Sequence, residues 1–132
     1  MIAEKTIQVS GKDVTLRYCA ATETGFEQMS GRSSSIFLPV VVERNPDGKP
    51  KKVTPPSAVM EDYLMLACAA IIAAYARKGE DSPVSVDEIL YDAPPSEVKE
   101  LMTTVIELRE KWYAIPEIVK PESKEVDDSK NA

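Results

Sequence analysis

An alanine-rich apolar run from Tyr63 to Ala76 constrains the fold of this chain more than any other segment. Pro55 and Pro56 precede the run and Gly79 follows it, and these are typical start and stop residues of a helix. A helix from Pro55 to Lys78 would be roughly 36 Å long at about 1.5 Å per residue. That length approaches the diameter of a domain of this size. We therefore predict one long central helix against which the rest of the chain packs.

The predicted central helix carries two apolar stripes at helical spacing, about 90° apart around its axis. The first stripe comprises Met60, Leu64, Cys68, Ile71 and Tyr75. The second stripe comprises Met65, Ala69 and Ile72. Because both stripes are apolar, we expect two neighbouring elements to cover them.

The N-terminal segment has the alternation of a β-hairpin. Apolar residues at every second position, separated by the turn Ser10–Asp13, predict one buried face; they are Ile7, Val9, Val14, Leu16 and Tyr18. A short helix capped by Thr22 is expected to follow as far as Ser30, with Gly31 as its terminator and Gly25 as a weak point. Phe26 and Met29 would form the buried side of this helix.

The run from Ile36 to Val42 is apolar and rich in β-branched residues. The turn sequence Asn45–Gly48 predicts that it folds back on Lys49–Thr54 as a second hairpin, with Pro39 and Pro50 at edges or strand ends. Farther along, Ser85 and Glu88 have the spacing of a capping box that opens a short helix. Ser96 is predicted to cap a second long helix. Its apolar face would comprise Val98, Leu101, Met102, Val105, Leu108 and Trp112.

These elements predict an α+β fold, in which the N-terminal hairpin and a second hairpin pack on a small helical bundle with one long central helix. We expect residues 1–115 to form a single domain. From 116 to 132 the sequence is mostly charged or small and interrupted by Pro116 and Pro121, so we expect a flexible charged tail.

The composition excludes most familiar enzyme sites. The chain has no histidine and a net charge of −6, so catalytic triads and histidine-ligated metals are excluded and nucleic acid is an unfavourable partner. Its glycines form no phosphate-binding motif, and Cys19 and Cys68 form no C-x-x-C pair. We predict no catalytic, cofactor-binding or metal-ligating residue. With neither a signal peptide nor a membrane span in the sequence, we expect a cytoplasmic protein.

The remaining candidates for function are apolar surfaces that could contact another helix or a second copy of the chain. We select residues from the apolar run 36–42 and from the second stripe of the central helix. The candidate partner-binding residues are Phe37, Val41, Met65, Ala69 and Ile72.

The order of elements resembles that of the tail assembly chaperones of long-tailed phages and prophages. The resemblance covers about residues 4–115: a hairpin, a short helix with the pattern Phe26-Glu27-x-x-x-Gly31, a proline-started alanine-rich helix, and two further helices. The stretches Thr22–Gly31 and Asp62–Gly79 also look like small prophage-type proteins. The segment Ile36–Lys52 departs from the family as an insertion, either a second hairpin or a partner-binding flap.

The resemblance implies a non-enzymatic role, in which the chain binds the tape measure protein in the host cytosol before the tail tube polymerises. Several family members self-associate, so a homo-oligomer is a second expectation. Two other functions stay open: a structural tail or head–tail completion protein of the phage particle, and a small acidic adaptor or inhibitor of a host protein.

Overall fold

A computed structural model of the chain describes residues 2–37, 41–44, 46–48, 50–54 and 57–113, with backbone alone for 41–44 and 50–54. The elements in chain order are β1 (Ala3–Val9), β2 (Lys12–Tyr18), α1 (Ala20–Ser30), β3 (Val41–Arg44), β4 (Pro50–Thr54), α2 (Met60–Ala76) and α3 (Pro95–Tyr113). This order confirms the predicted α+β class. The expected tail at 116–132 and the edge position of Pro39 lie outside the described residues.

The first hairpin is tighter than its sequence predicts. β1 and β2 pair from Ala3 opposite Tyr18 to Val9 opposite Lys12. The turn is therefore only Ser10 and Gly11, whose φ angles of 52° and 75° are those of a two-residue type I′ turn. The predicted apolar face is confirmed as buried. It packs on α2 and α3.

Helix α1 begins at Ala20, two residues before the expected cap at Thr22. The Thr22 hydroxyl accepts a hydrogen bond from the Cys19 backbone N–H at 3.1 Å and donates to the Arg17 carbonyl at 2.6 Å. Thr22 is thus the third residue of the helix and ties its start to β2. Phe26 is buried, and Gly31 ends the helix in the left-handed conformation, as predicted.

Helix α2 is shorter than predicted, 17 residues beginning at Met60, and α3 with 19 residues is the longer helix. The predicted start of this helix at Pro55 is wrong. The preceding residue, Thr54, ends β4 opposite Val41, and α2 begins only at Met60. The start of α2 is set instead by Asp62, whose carboxylate accepts from the Val59 backbone N–H at 2.8 Å. At the other end, Gly79 has φ 73°. The Glu80 N–H donates to the Tyr75 carbonyl at 2.9 Å, as in a Schellman motif.

The central position of α2 is confirmed. It contacts β2, α1 and α3. Burial extends beyond the two predicted stripes to Leu66, Ala67 and Ala70, each with no exposed surface. The small alanine side chains let three elements approach one helix from several directions, which is why α2 is buried almost all round.

A second hairpin is present, as predicted, but its first strand is not the run Ile36–Val42: β3 begins at Val41, and Ile36 and Phe37 lie in the 3₁₀ turn Ser34–Phe37. β3 and β4 pair antiparallel, with Val42 opposite Val53 and an irregularity after Glu43. Gly48 adopts φ 86° in the connecting turn. Among the described residues, this sheet consists of β3 and β4 alone.

The capping box before α3 is confirmed by two reciprocal hydrogen bonds. The Ser85 N–H donates to the Glu88 carboxylate at 2.9 Å, and the Glu88 N–H donates to the Ser85 hydroxyl at 3.1 Å. A π-helical turn, Glu88–Asp92, follows. α3 itself begins at Pro95 rather than after a Ser96 cap, because the Pro94 carbonyl accepts the first helical hydrogen bond from Val98 at 3.1 Å.

The buried face of α3 includes Leu101, Val105 and Leu108. Trp112 was expected on this face, but it is 37% exposed because it lies at the end of the helix, beyond the packed core. Within the described ranges, no helix combines the length and apolar character needed to cross a membrane.

Candidate partner-binding site

An apolar groove lies between the beginnings of α2 and α3. It encloses about 330 Å³. Its lining consists of Met60, Ala93, Pro95, Val98, Lys99 and Met102. Five of these six side chains are apolar, and Lys99 supplies the charge at the rim. We name this surface the α2–α3 groove.

Met60 is an exposed member of the α2–α3 groove. The residue is 64% exposed, and the preceding Val59 is 56% exposed. Leu64, one helical turn later on α2, is buried. The apolar stripe of α2 therefore leaves the core at its first turn, where Met60 stands free to contact another molecule.

The first turn of α2 is held rigidly by Asp62. This residue is only 4% exposed. Its carboxylate caps Val59 and also accepts two hydrogen bonds from the Arg32 guanidinium, at 2.9 and 3.0 Å. The buried carboxylate therefore has both a charged partner and a backbone donor. Because that donor is the residue directly before Met60, these bonds fix the position of Met60.

The opposite wall of the groove is set by prolines. Pro94 and Pro95 have restricted φ angles, and Pro95 opens α3. Val98 and Met102 are one helical turn apart on α3, so their side chains lie next to each other along the groove. Both are half-buried.

The apolar lining of the groove is suited to contact with another apolar surface. Methionine has a flexible, polarizable side chain that adapts to partners of different shape, and two methionines line this groove. In the part of the chain that the structure describes, no three His, Cys, Asp or Glu side chains are placed to hold a metal ion.

The predicted partner-binding residues do not form one exposed surface, because Phe37 and Ala69 are buried. Phe37 is 3% exposed, and its ring lies 4.8 Å from the ring of Phe26 and 5.2 Å from that of Tyr63. It is a core residue because the 3₁₀ turn Ser34–Phe37 folds it inward. Val41 lies in β3, where the backbone alone is described.

Ala69 is buried under α1, at 2% exposure. The two helices approach closely at this point: a β-carbon at position 25, now glycine, would lie 3.6 Å from the Ala69 Cβ. Met65 is half-buried and packs against the core. Among the four predicted residues whose side chains are described, Ile72 alone is substantially exposed, at 43%. The second stripe of α2 is therefore mainly an internal contact with α1.

Sequence reasoning placed Met60, Val98 and Met102 on the packed faces of their helices and did not single out Ala93 or Pro95. One feature of the sequence pointed to this groove: Met60 lies one helical turn before the buried part of its apolar stripe. Only the folded chain places that turn beside the start of α3.

The two cysteines are in different environments. Cys68 is buried in α2, and burial raises the pKa of its thiol to about 12. Cys19 is half-buried, and its Sγ lies 3.7 Å from the Thr22 hydroxyl. Both are free thiols, so no disulfide joins them.

Comparison with known proteins gives no assignment: no family model, no curated protein and no solved structure matches the chain.

Proposed function

We propose that this protein is a non-enzymatic tail assembly chaperone of a phage or prophage, which binds the tape measure protein in the host cytosol before the tail tube polymerises. The observation that carries the proposal is the α2–α3 groove, with Met60 64% exposed at its edge. The order of elements, a hairpin and a short helix before the alanine-rich helix and α3, supports the same family resemblance.

An apolar groove of this kind suits an amphipathic helical segment. Such a segment would insert one or two large apolar side chains, each contributing about 1.5–3 kcal/mol when fully buried. Ordering and association costs reduce that gain, so one groove would bind a single segment weakly. Weak binding at repeated positions is appropriate for a chaperone, because the tape measure protein must later leave it.

The direct test is co-expression of the full chain with the tape measure protein of the same prophage, followed by affinity purification. Wild-type protein should retain the tape measure protein. Met60→Glu should reduce recovery at least about tenfold, because a charge would be desolvated in the groove. Ile2→Glu is the matched control: it places the same charge on an exposed apolar residue outside the groove and should leave recovery unchanged.

Several results would contradict the proposal. If both proteins are soluble and form no complex, the proposed binding of the tape measure protein is wrong. If Met60→Glu recovers as much tape measure protein as the wild type, the α2–α3 groove is not the binding site. Mass spectrometry of purified virions separates the chaperone from a structural tail or completion protein, because a chaperone should be absent from the particle. A complex that dissociates steeply with salt would favour an acidic adaptor instead.

A further inference from the structure

Arg109 of α3 is a buried cation without a carboxylate partner in the described structure. The residue is 8% exposed. Its Nε–H is fully buried and donates to no acceptor there. The ion pairs of the described residues are Lys5–Glu107, Arg17–Glu4 and Arg32–Asp62, and none of them includes Arg109. Burying a guanidinium without an anion is unfavourable, so Arg109 requires an explanation.

The carboxylate that bonds the Tyr113 hydroxyl is also bonded by a second tyrosine. The Tyr18 hydroxyl donates to the Glu23 carboxylate at 2.8 Å, and the Tyr113 hydroxyl donates to the same oxygen. The ring of Tyr113 also lies over Arg109, with the guanidinium carbon 4.7 Å from the ring centre. Arg109 is thus in contact with an aromatic face, while Glu23 is bound by two phenols.

The contrast with Arg32 shows what is missing at Arg109. The Arg32 side chain is 44% exposed and still binds Asp62 through two hydrogen bonds. Arg109 is far more buried, and in the described part its guanidinium contacts the ring of Tyr113 instead of a carboxylate. A planar guanidinium with a free Nε–H is suited to bidentate binding of a carboxylate.

We propose that Arg109 is a carboxylate-binding site covered by Tyr113, and that its ligand is a Glu or Asp side chain. Tyr113 is the last residue of α3 and is 43% exposed. Movement of its ring would cost the hydrogen bond to Glu23 and would open the buried Nε–H to an incoming carboxylate. The ligand comes either from this chain, which carries five acidic residues after Tyr113, or from a partner protein.

This proposal can be tested by ¹⁵N NMR of the full chain, in which the Nε–H resonances of the arginines are observed. Arg109→Lys identifies the Arg109 resonance by its loss, and Arg77 is the exposed internal control. The probe is a capped triglutamate peptide, with a capped triglutamine peptide as its control at the same ionic strength. Triglutamate should move the Arg109 resonance saturably and slow its proton exchange about tenfold or more, as a new charged hydrogen bond would. Arg77 should not respond.

A second arm of the experiment distinguishes the source of the carboxylate. It uses a full-length variant in which Glu117, Glu122, Glu125, Asp127 and Asp128 are changed to their amides. If these residues supply the ligand, the Arg109 resonance of the unliganded chain should change in this variant. If a partner supplies it, only the triglutamate peptide should move the resonance. An Arg109 resonance that responds to neither treatment overturns the proposal.

Tyr113→Phe tests the cover separately, because it keeps the ring and removes the hydroxyl that bonds Glu23. Loss of one hydrogen bond should increase the population of the open site, so triglutamate should bind about fivefold more tightly. Equal or weaker binding would overturn the assignment of Tyr113 as the cover.

Discussion

The guanidinium of Arg32 lies 2.9 Å from the carboxylate of Asp62, and this ion pair joins the loop after α1 to the first turn of α2. The same carboxylate caps Val59, directly before Met60 of the α2–α3 groove. The pair therefore links the packing of α1 to the position of the residue on which the proposed function rests.

Breaking this pair should destabilise the start of α2. Asp62→Ala removes both the cap and the partner of Arg32, and we expect a loss of about 2 kcal/mol in the free energy of unfolding. Arg32→Ala removes only the exposed partner of a buried carboxylate and should cost about 1–2 kcal/mol. Urea unfolding measures both. Equal stability of all three proteins would show that the pair contributes nothing.

Gly25→Ala should stabilise the protein. Position 25 is inside α1, where glycine is about 1 kcal/mol less favourable than alanine. The added β-carbon would be in ordinary contact with Ala69 at 3.6 Å. We expect a gain of about 0.5–1 kcal/mol in urea unfolding, whereas Gly25→Leu should destabilise because its larger side chain would push α1 from α2. A destabilising Gly25→Ala would contradict this account of the helix crossing.

Phe37→Ala should cost about 3–5 kcal/mol, because it empties a buried site between the rings of Phe26 and Tyr63. Phe37→Leu, which keeps most of the volume, should cost about 1.5 kcal/mol or less. Tyr91→Ala is the control, since Tyr91 is 80% exposed and should change stability by less than about 0.5 kcal/mol. Thermal unfolding measures all three. A neutral Phe37→Ala would restore Phe37 as a surface candidate.

The two thiols should react at different rates. With its pKa raised to about 12 by burial, Cys68 holds little thiolate at pH 8 and is also shielded from reagents. Half-buried Cys19 should therefore react first with a thiol reagent in the native protein. Mass spectrometry should find one rapid modification, which Cys19→Ser abolishes. Two equally rapid modifications would contradict the burial of Cys68.

Stability should fall at alkaline pH because of Tyr18. Burial, followed by the hydrogen bond to Glu23, raises the pKa of the Tyr18 phenol well above its ordinary value. The folded state then holds the proton more tightly than the unfolded state. This stabilisation is complete below pH about 10 and is lost progressively above it. Urea unfolding of wild type and Tyr18→Phe at rising pH checks the sign: the wild type should lose more stability, and parallel losses would refute the assignment.

The elements that were predictable from the sequence depend on interactions between near neighbours. The Ser85–Glu88 box and the left-handed Gly79 each use hydrogen bonds that span only a few residues. The local sequence also determined the apolar face of the first hairpin, because alternation and a short turn set which side chains share a face. These features need no information about the rest of the chain.

The tertiary structure alone decided where α2 begins and which surfaces stay free. Thr54 pairs with Val41 in the second hairpin and therefore lies outside α2. The start of α2 is instead stabilised by Asp62, whose partner Arg32 is thirty residues away in sequence. The sequence pattern places Ala69 on an apolar stripe that could be exposed. In the folded chain α1 covers this residue, with Gly25 at the crossing. The α2–α3 groove exists only where two helix starts meet. Burial depends on contacts between distant segments, and local periodicity gives a helix its apolar faces without specifying what covers them.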